Sequence, residues 1–116
     1  MGHTFFIEDA AETKNIYDHN LAIKTKASDS LLSTDQTPGG FWITHPDNVV
    51  TNNAIAGTDA YGYWYDMQDH AIGPSFDLNI CPPYAKLGEF RSNTVHGPKK
   101  YGLRIHHGHM PRTNPC

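Results

Sequence analysis

The sequence lacks the features that mark several large functional classes. No run approaches the roughly 18–20 apolar residues that cross a bilayer, and Met1-Gly2-His3 has neither the basic nor the apolar region of a signal peptide. Charged residues make up only 18%, and Lys+Arg 9 against Asp+Glu 12 gives a net charge of -3. Such a balance offers no broad basic field to a nucleic-acid backbone, which argues against nucleic-acid partners. Cysteine is nearly absent. Cys81 and Cys116 form no C-x-x-C arrangement, so zinc and dithiol redox chemistry have no motif to rest on, and at most one internal disulfide is available. There is no G-x-S-x-G elbow, no P-loop and no G-x-G-x-x-G after a strand, so neither covalent catalysis nor a nucleotide cofactor is expected. No N-x-Ser/Thr sequon occurs, and no window shows a helical stripe.

What is present is an internal repeat. A shift of 40 residues lays Asn48 to Gly57 on Gly88 to Gly97, and Tyr61-Gly62 on Tyr101-Gly102; a shift of 33 lays Asn15 to Ile23 on Asn48 to Ala56. Each copy carries an Asn (Asn20, Asn53, Asn93) three residues after one apolar position (Tyr17, Val50, Phe90) and two before another (Ala22, Ile55, Val95). A second apolar segment recurs as Phe5-Phe6-Ile7, Phe41-Trp42-Ile43, Tyr63-Trp64-Tyr65 and Leu103-Arg104-Ile105, each following a glycine at Gly2, Gly40, Gly62 or Gly102. Short, aromatic or β-branched pieces bounded by Gly, Pro, Asn and Asp read as strands. Short strands joined at an Asn corner and repeated at 33–40 residues predict an all-β, right-handed parallel β-helix of about four coils.

In such a stack the same position recurs about 4.8 Å along the axis, so Asn20, Asn53 and Asn93 are expected to form a structural amide ladder. The uneven period is assigned to two long loops, Lys24–Gly39 and Met67–Leu87, rich in Ser, Thr, Asp, Pro and Gly. Solenoids ordinarily cap their open ends. No cap is evident, so residues 1–116 are expected to be one β-helical segment of a larger protein.

With these segments in place, the sequence resembles the β-helical region shared by fibrocystin-like proteins and the cell-surface hyaluronidases, including the cell-migration-inducing hyaluronan-binding protein. The resemblance is carried by Gly2 to Asp9, Asn20-Leu21, Leu31 to Asp35, Phe41-Trp42-Ile43-Thr44-His45-Pro46, Asn52 to Gly57, Gly62 to Tyr65 and Leu87 to Phe90. It covers nearly the whole chain. The compact connection from Thr34-Asp35-Gln36-Thr37-Pro38 to Phe41 is closer to the fibrocystin-like branch. The resemblance implies a large extracellular or membrane-anchored parent, with neighbouring domains as partners and no membrane contact by this segment. Hyaluronan cleavage belongs to one branch only, and no catalytic motif of that branch maps onto these positions. In that extracellular setting a Cys81–Cys116 bond would pin the second loop across the coils, the alternative being pairing with cysteines elsewhere.

Alternation along the aromatic strands assigns their faces. Phe5, Phe41, Tyr63 and Leu103 share one inward column, and Ile7, Ile43, Tyr65 and Ile105 share another. Phe6, Trp42, Trp64 and Arg104 then face outward, a candidate ligand-binding platform on which sugar rings stack beside a guanidinium. The plainer reading is that the two loops cover these rings, with Ile72, Phe76, Leu78 and Ile80 supplying the apolar lid. Just past the strands, Glu8, Thr44, Asp66 and His106 form a column in which Glu8, Asp66 and His106 are weak candidates for acid–base work on a polysaccharide, against strand-end hydrogen bonding. His107 and His109 point to one side of an extended segment and are weak metal candidates needing a third ligand such as His45 or Asp66; a solvated histidine patch is the expectation, with no metal. The expected role is a structural and interaction segment, and the competing one a carbohydrate-active β-helix that binds or cleaves a glycan such as hyaluronan.

Overall fold

The computed structural model describes residues 2–29, 33–106 and 108–116. Leu31, Leu32 and His107 lie outside the described residues. Among the described residues ten strands run in chain order: β1 (Phe5–Phe6), β2 (Ile16–Asp18), β3 (Leu21–Thr25), β4 (Gly39–Ile43), β5 (Val49–Thr51), β6 (Ala54–Thr58), β7 (Tyr61–Asp66), β8 (Glu89–Arg91), β9 (Thr94–Pro98) and β10 (Tyr101–His106). They form three sheets with orders β1-β4-β7-β10, β2-β5-β8 and β3-β6-β9, and every pairing between these strands is parallel. This is a parallel β-helix of three complete coils and the opening strand of a fourth.

The chain turns between the second and third sheets at the asparagine, because the residue before it leaves the extended region. His19, Asn52 and Ser92 take φ of 56°, 54° and 56°, the left-handed region that costs a side chain energy and appears in single residues at corners. The register then follows without slip: Tyr17, Val50 and Phe90 are in line, as are Ala22, Ile55 and Val95.

The core lies inside this triangular coil, where Ile7, Ala22, Phe41, Ile43, Val50, Ile55, Tyr63, Tyr65 and Met67 are buried together. Phe5, Phe41 and Tyr63 stack ring on ring at 4.5 and 5.2 Å. Each inward column thus buries its side chains against the rungs above and below as well as across the coil, which is how a stack without helices excludes water. Leu103 and Ile105 continue the same columns on β10, the outer strand of its sheet among the described residues, and are 47% and 48% exposed. Gly62 sits where two rungs approach closely: a Cβ there would lie 2.4 Å from the Gly102 carbonyl oxygen.

The Asn ladder is continuous. The main-chain N–H and side-chain amide of Asn20 both donate to Oδ1 of Asn53, and those of Asn53 both donate to Oδ1 of Asn93. A second ladder at the preceding corner joins Asn15 to Asn48 in the same way, at 2.9 and 3.0 Å. Its third rung is Gly88, whose Cβ position lies 2.4 Å from the Asn48 carbonyl oxygen.

Candidate functional site

The outward column forms a continuous stack whose indoles have little free surface. Trp42 and Trp64 lie parallel at 5.0 Å with 3° between their planes. The His3 ring lies 4.2 Å from Trp42, the Arg104 guanidinium 4.5 Å from Trp64, and the Tyr61 ring meets Trp64 edge-on at 4.0 Å. The two indoles are accordingly 4% and 7% exposed, while Phe6 remains 38% exposed. Trp42 and Trp64 are thus covered, as the plainer reading expects, and their faces are occupied by each other, by His3 and by Arg104.

Of the two loops expected to cover the rings, Lys24–Gly39 holds His3 over Trp42 through Thr34, Asp35 and Gly39, whereas the apolar lid expected from Met67–Leu87 is corrected. Ile72, Phe76 and Leu78 are themselves 40%, 66% and 58% exposed. Their loop is tied instead to the turn after β1, where the Ile72 N–H donates to the Asp9 carbonyl and Ser75 Oγ to the Asp9 carboxylate. The rings packed on the indoles also include His3, which precedes β1, and Tyr61, the first residue of β7, both outside the four recurring triplets.

His3 is the most constrained polar group of the column. Its side chain is 1% exposed, Nδ1 accepts the Gly39 N–H at 3.0 Å, and Nε2 stands 3.2 Å from Thr34 Oγ1 and 3.7 Å from Asp35. Burial holds its pKa below the ordinary histidine value, with Asp35 and Asp66 pulling weakly the other way.

Arg104 is held between rings. Its guanidinium lies 5.7 Å from Tyr61 and 5.6 Å from the exposed Tyr101, and its Nη1 donates to the Tyr61 hydroxyl at 3.3 Å. With Lys100 these residues line a small open cleft.

The three candidates of the acid–base column stand on different rungs. Thr44 occupies the rung between Glu8 and Asp66, buried, its hydroxyl donating to the Ile7 carbonyl and accepting the Ala10 N–H. Glu8 and Asp66 thus stand two rungs apart along the stack, about 10 Å of backbone spacing. Asp66 accepts from the Gln68 amide, and His106 is aligned with Asp66 in register with its ring 5.7 Å from Trp64. His109, one of the metal candidates, places Nε2 2.7 Å from the Ala85 carbonyl. His45 is buried, with Nδ1 accepting the Asp47 N–H. Among the described residues no group of three or more His, Cys, Asp or Glu is placed to hold a metal ion.

Cys81 and Cys116 are joined, closing a separation of 35 residues. The tail also runs against the second loop, Met110 and Arg112 donating to the Pro83 and Tyr84 carbonyls and Arg112 stacking on the Tyr84 ring at 3.8 Å.

Comparison with known proteins assigns this architecture. The family model described as the CEMIP beta-helix matches residues 1–103. The chain belongs to the CEMIP β-helix family. It is 48% identical to fibrocystin-L of Mus musculus over 116 residues and 46% identical to fibrocystin-L of Homo sapiens, in each case across 99% of this chain and 3% of the relative. Cell surface hyaluronidase CEMIP2 of Homo sapiens is 34% identical over 135 residues, across 93% of this chain and 10% of the relative. Within the family the chain is thus closer to fibrocystin-L than to the hyaluronidases, and it spans only about 3% of the fibrocystin-L length. No solved structure matches it. No helix among the described residues is long and apolar enough to cross a membrane.

Proposed function

We propose that this CEMIP β-helix segment is a non-enzymatic structural and interaction module of a large extracellular protein of the fibrocystin-L type, serving as a rigid stalk and docking surface for neighbouring domains. One observation carries the reading: the two indoles on which a glycan would stack are buried. Trp42 and Trp64 are buried in their own stack, and Thr44 separates Glu8 from Asp66 with a hydroxyl fixed to the backbone. The extracellular setting is supported by the Cys81–Cys116 disulfide and by relatives named as cell-surface proteins.

The competing reading, a segment that binds or cleaves an acidic glycan such as hyaluronan, draws on the rim of the same face. There Tyr101 is 55% exposed beside Lys100 and Arg104, and a ring beside two cations suits a uronic carboxylate. Incubation with hyaluronan, followed by size analysis of the polymer and Trp fluorescence of the protein, separates the two. An unchanged polymer and unchanged indole emission are expected. Shortening of the polymer overturns the non-enzymatic assignment.

A further inference from the structure

The flank of the stack carries a cavity of about 390 Å³ between the corner that follows β4 and the second loop, away from both ends of the coils. That volume lies in the range of ligand pockets. Its floor is His45, only 6% exposed, and its outer wall comes from Asn79, Ile80, Cys81, Ala85 and Lys86. The wall is fixed in place. Cys81 is bridged to Cys116, and the Tyr84 and Ala85 N–H groups donate to the Cys81 and Pro82 carbonyls.

Two donors in this cavity are left over. Nδ1 of His45 accepts the Asp47 N–H at 3.1 Å, which puts the ring proton on Nε2, and Nε2 has no hydrogen-bond partner among the described residues. Burial holds the His45 pKa below the ordinary value, with Asp47 and Glu12 pulling the other way and Lys14 adding to the decrease, so the ring is a neutral donor. Lys86 is exposed at the rim and has no ion pair among the described residues. The carboxylate that shares the rim is already engaged: both oxygens of Asp47 face Lys14 Nζ, at 2.8 and 2.7 Å. A buried N–H and an unpaired ammonium therefore await an acceptor of negative charge.

We propose that this cavity receives a glutamate side chain from a docking polypeptide segment. The proposal rests on the interaction-module reading above and gives it a lateral site with a stated partner chemistry. The guest carboxylate takes the His45 Nε2–H and pairs with Lys86, while Lys14 offsets the Asp47 charge that would otherwise repel it. The methylenes of the guest lie against Ala11, Ile80 and Ala85. These apolar walls select an aliphatic stem. A uronic acid carries its carboxylate on a ring of hydroxyls, which the same walls would leave without hydrogen-bond partners.

The test uses the full chain labelled with nitrogen-15 and the end-capped tripeptide Ala-Glu-Ala as the probe. Saturating shifts at His45, Asn79, Ile80 and Lys86 are expected, the His45 ring nitrogens included, with an affinity that falls as salt is raised. The Ala-Gln-Ala peptide keeps the shape and loses the charge, and should bind about five-fold more weakly. Lys86→Met, an exposed change checked for unchanged melting, should weaken the glutamate peptide by a similar factor. No saturating shift up to about 20 mM peptide overturns the proposal. Equal binding of the two peptides, or of the glutamate peptide to parent and Lys86→Met, overturns it too. Tighter binding of glucuronic acid at the same residues would overturn it in favour of a glycan. The hyaluronan incubation tests the functional reading separately, so a silent cavity with an intact polymer removes only this site.

Discussion

The main-chain N–H and the side-chain amide of Asn20 converge on a single oxygen, Oδ1 of Asn53, at 2.9 and 3.0 Å. Asn53 in turn sends its Nδ2 to the Tyr17 carbonyl at 2.8 Å and to Asn93 Oδ1 at 3.1 Å, while being 1% exposed. One side chain therefore satisfies polar groups of three coils that water cannot reach.

Truncating it should be costly. Asn53→Ala strands buried donors and acceptors on both neighbouring rungs and is expected to lower stability by about 1–3 kcal/mol. Asn52→Ala loses one solvent-facing bond to Asp18 and places Ala at φ 54°, a smaller loss. Chemical denaturation of both variants measures the gap, and equal midpoints would refute the ladder as a source of stability.

Trp64→Ala should destabilise the fold without altering any glycan response. The indole fills a nearly sealed slot between Trp42, Tyr61 and Arg104, so the cavity it leaves is expected to cost about 3–5 kcal/mol. Thermal melting reads the loss. A variant that melts like the parent yet loses hyaluronan binding would place a ligand on this face after all.

The columns were legible because alternation and a repeat fix them: Phe41 over Tyr63, Trp42 over Trp64 and Asn53 under Asn93 all follow from shifts read along the chain. What covers Trp42 was not. His3 reaches it from the segment leading into the first strand, 39 residues away, and no periodicity links a histidine outside the repeat to an indole within it. The Asn15–Asn48 ladder was hidden for a different reason. Its third rung is Gly88, present because the Asn48 carbonyl lies where a side chain would stand, so the series shows two asparagines rather than three. The apolar loop residues misled in the opposite sense, since Phe76 and Leu78 stay exposed although composition asks for a surface to cover.

Reducing the disulfide should loosen the periphery more than the stack. A closed loop of 35 residues corresponds to about 3–4 kcal/mol of denatured-state entropy. The strands themselves lie in the coils, apart from the bridge. Melting with and without reductant is expected to show a lower midpoint, with the β-sheet circular dichroism of the folded protein unchanged. Loss of that signal on reduction at room temperature would mean that the bridge, rather than the stacked coils, holds the fold.

Acid should destabilise the protein through its buried histidines before its carboxylates are reached. The neutral His3 ring accepts the Gly39 N–H at Nδ1, a bond the protonated ring cannot make, and burial lowers the pKa of both His3 and His45. The unfolded chain therefore binds protons that the folded one refuses, so stability is full above the ordinary histidine value of about 6.5 and falls as pH drops through the lowered folded values. Asp18 extends the decline at lower pH. Hydrogen bonds from Thr51, Asn52 and His19 hold its carboxyl below the usual carboxylate range, and protonation forfeits them. His3→Asn places an amide oxygen near the Gly39 N–H without a titrating group. Its stability should fall less between pH 6.5 and 5 than that of the parent, with His45 supplying the remaining slope. Denaturation midpoints across that range decide it, and parallel curves for the two proteins would show that His3 does not couple folding to protonation.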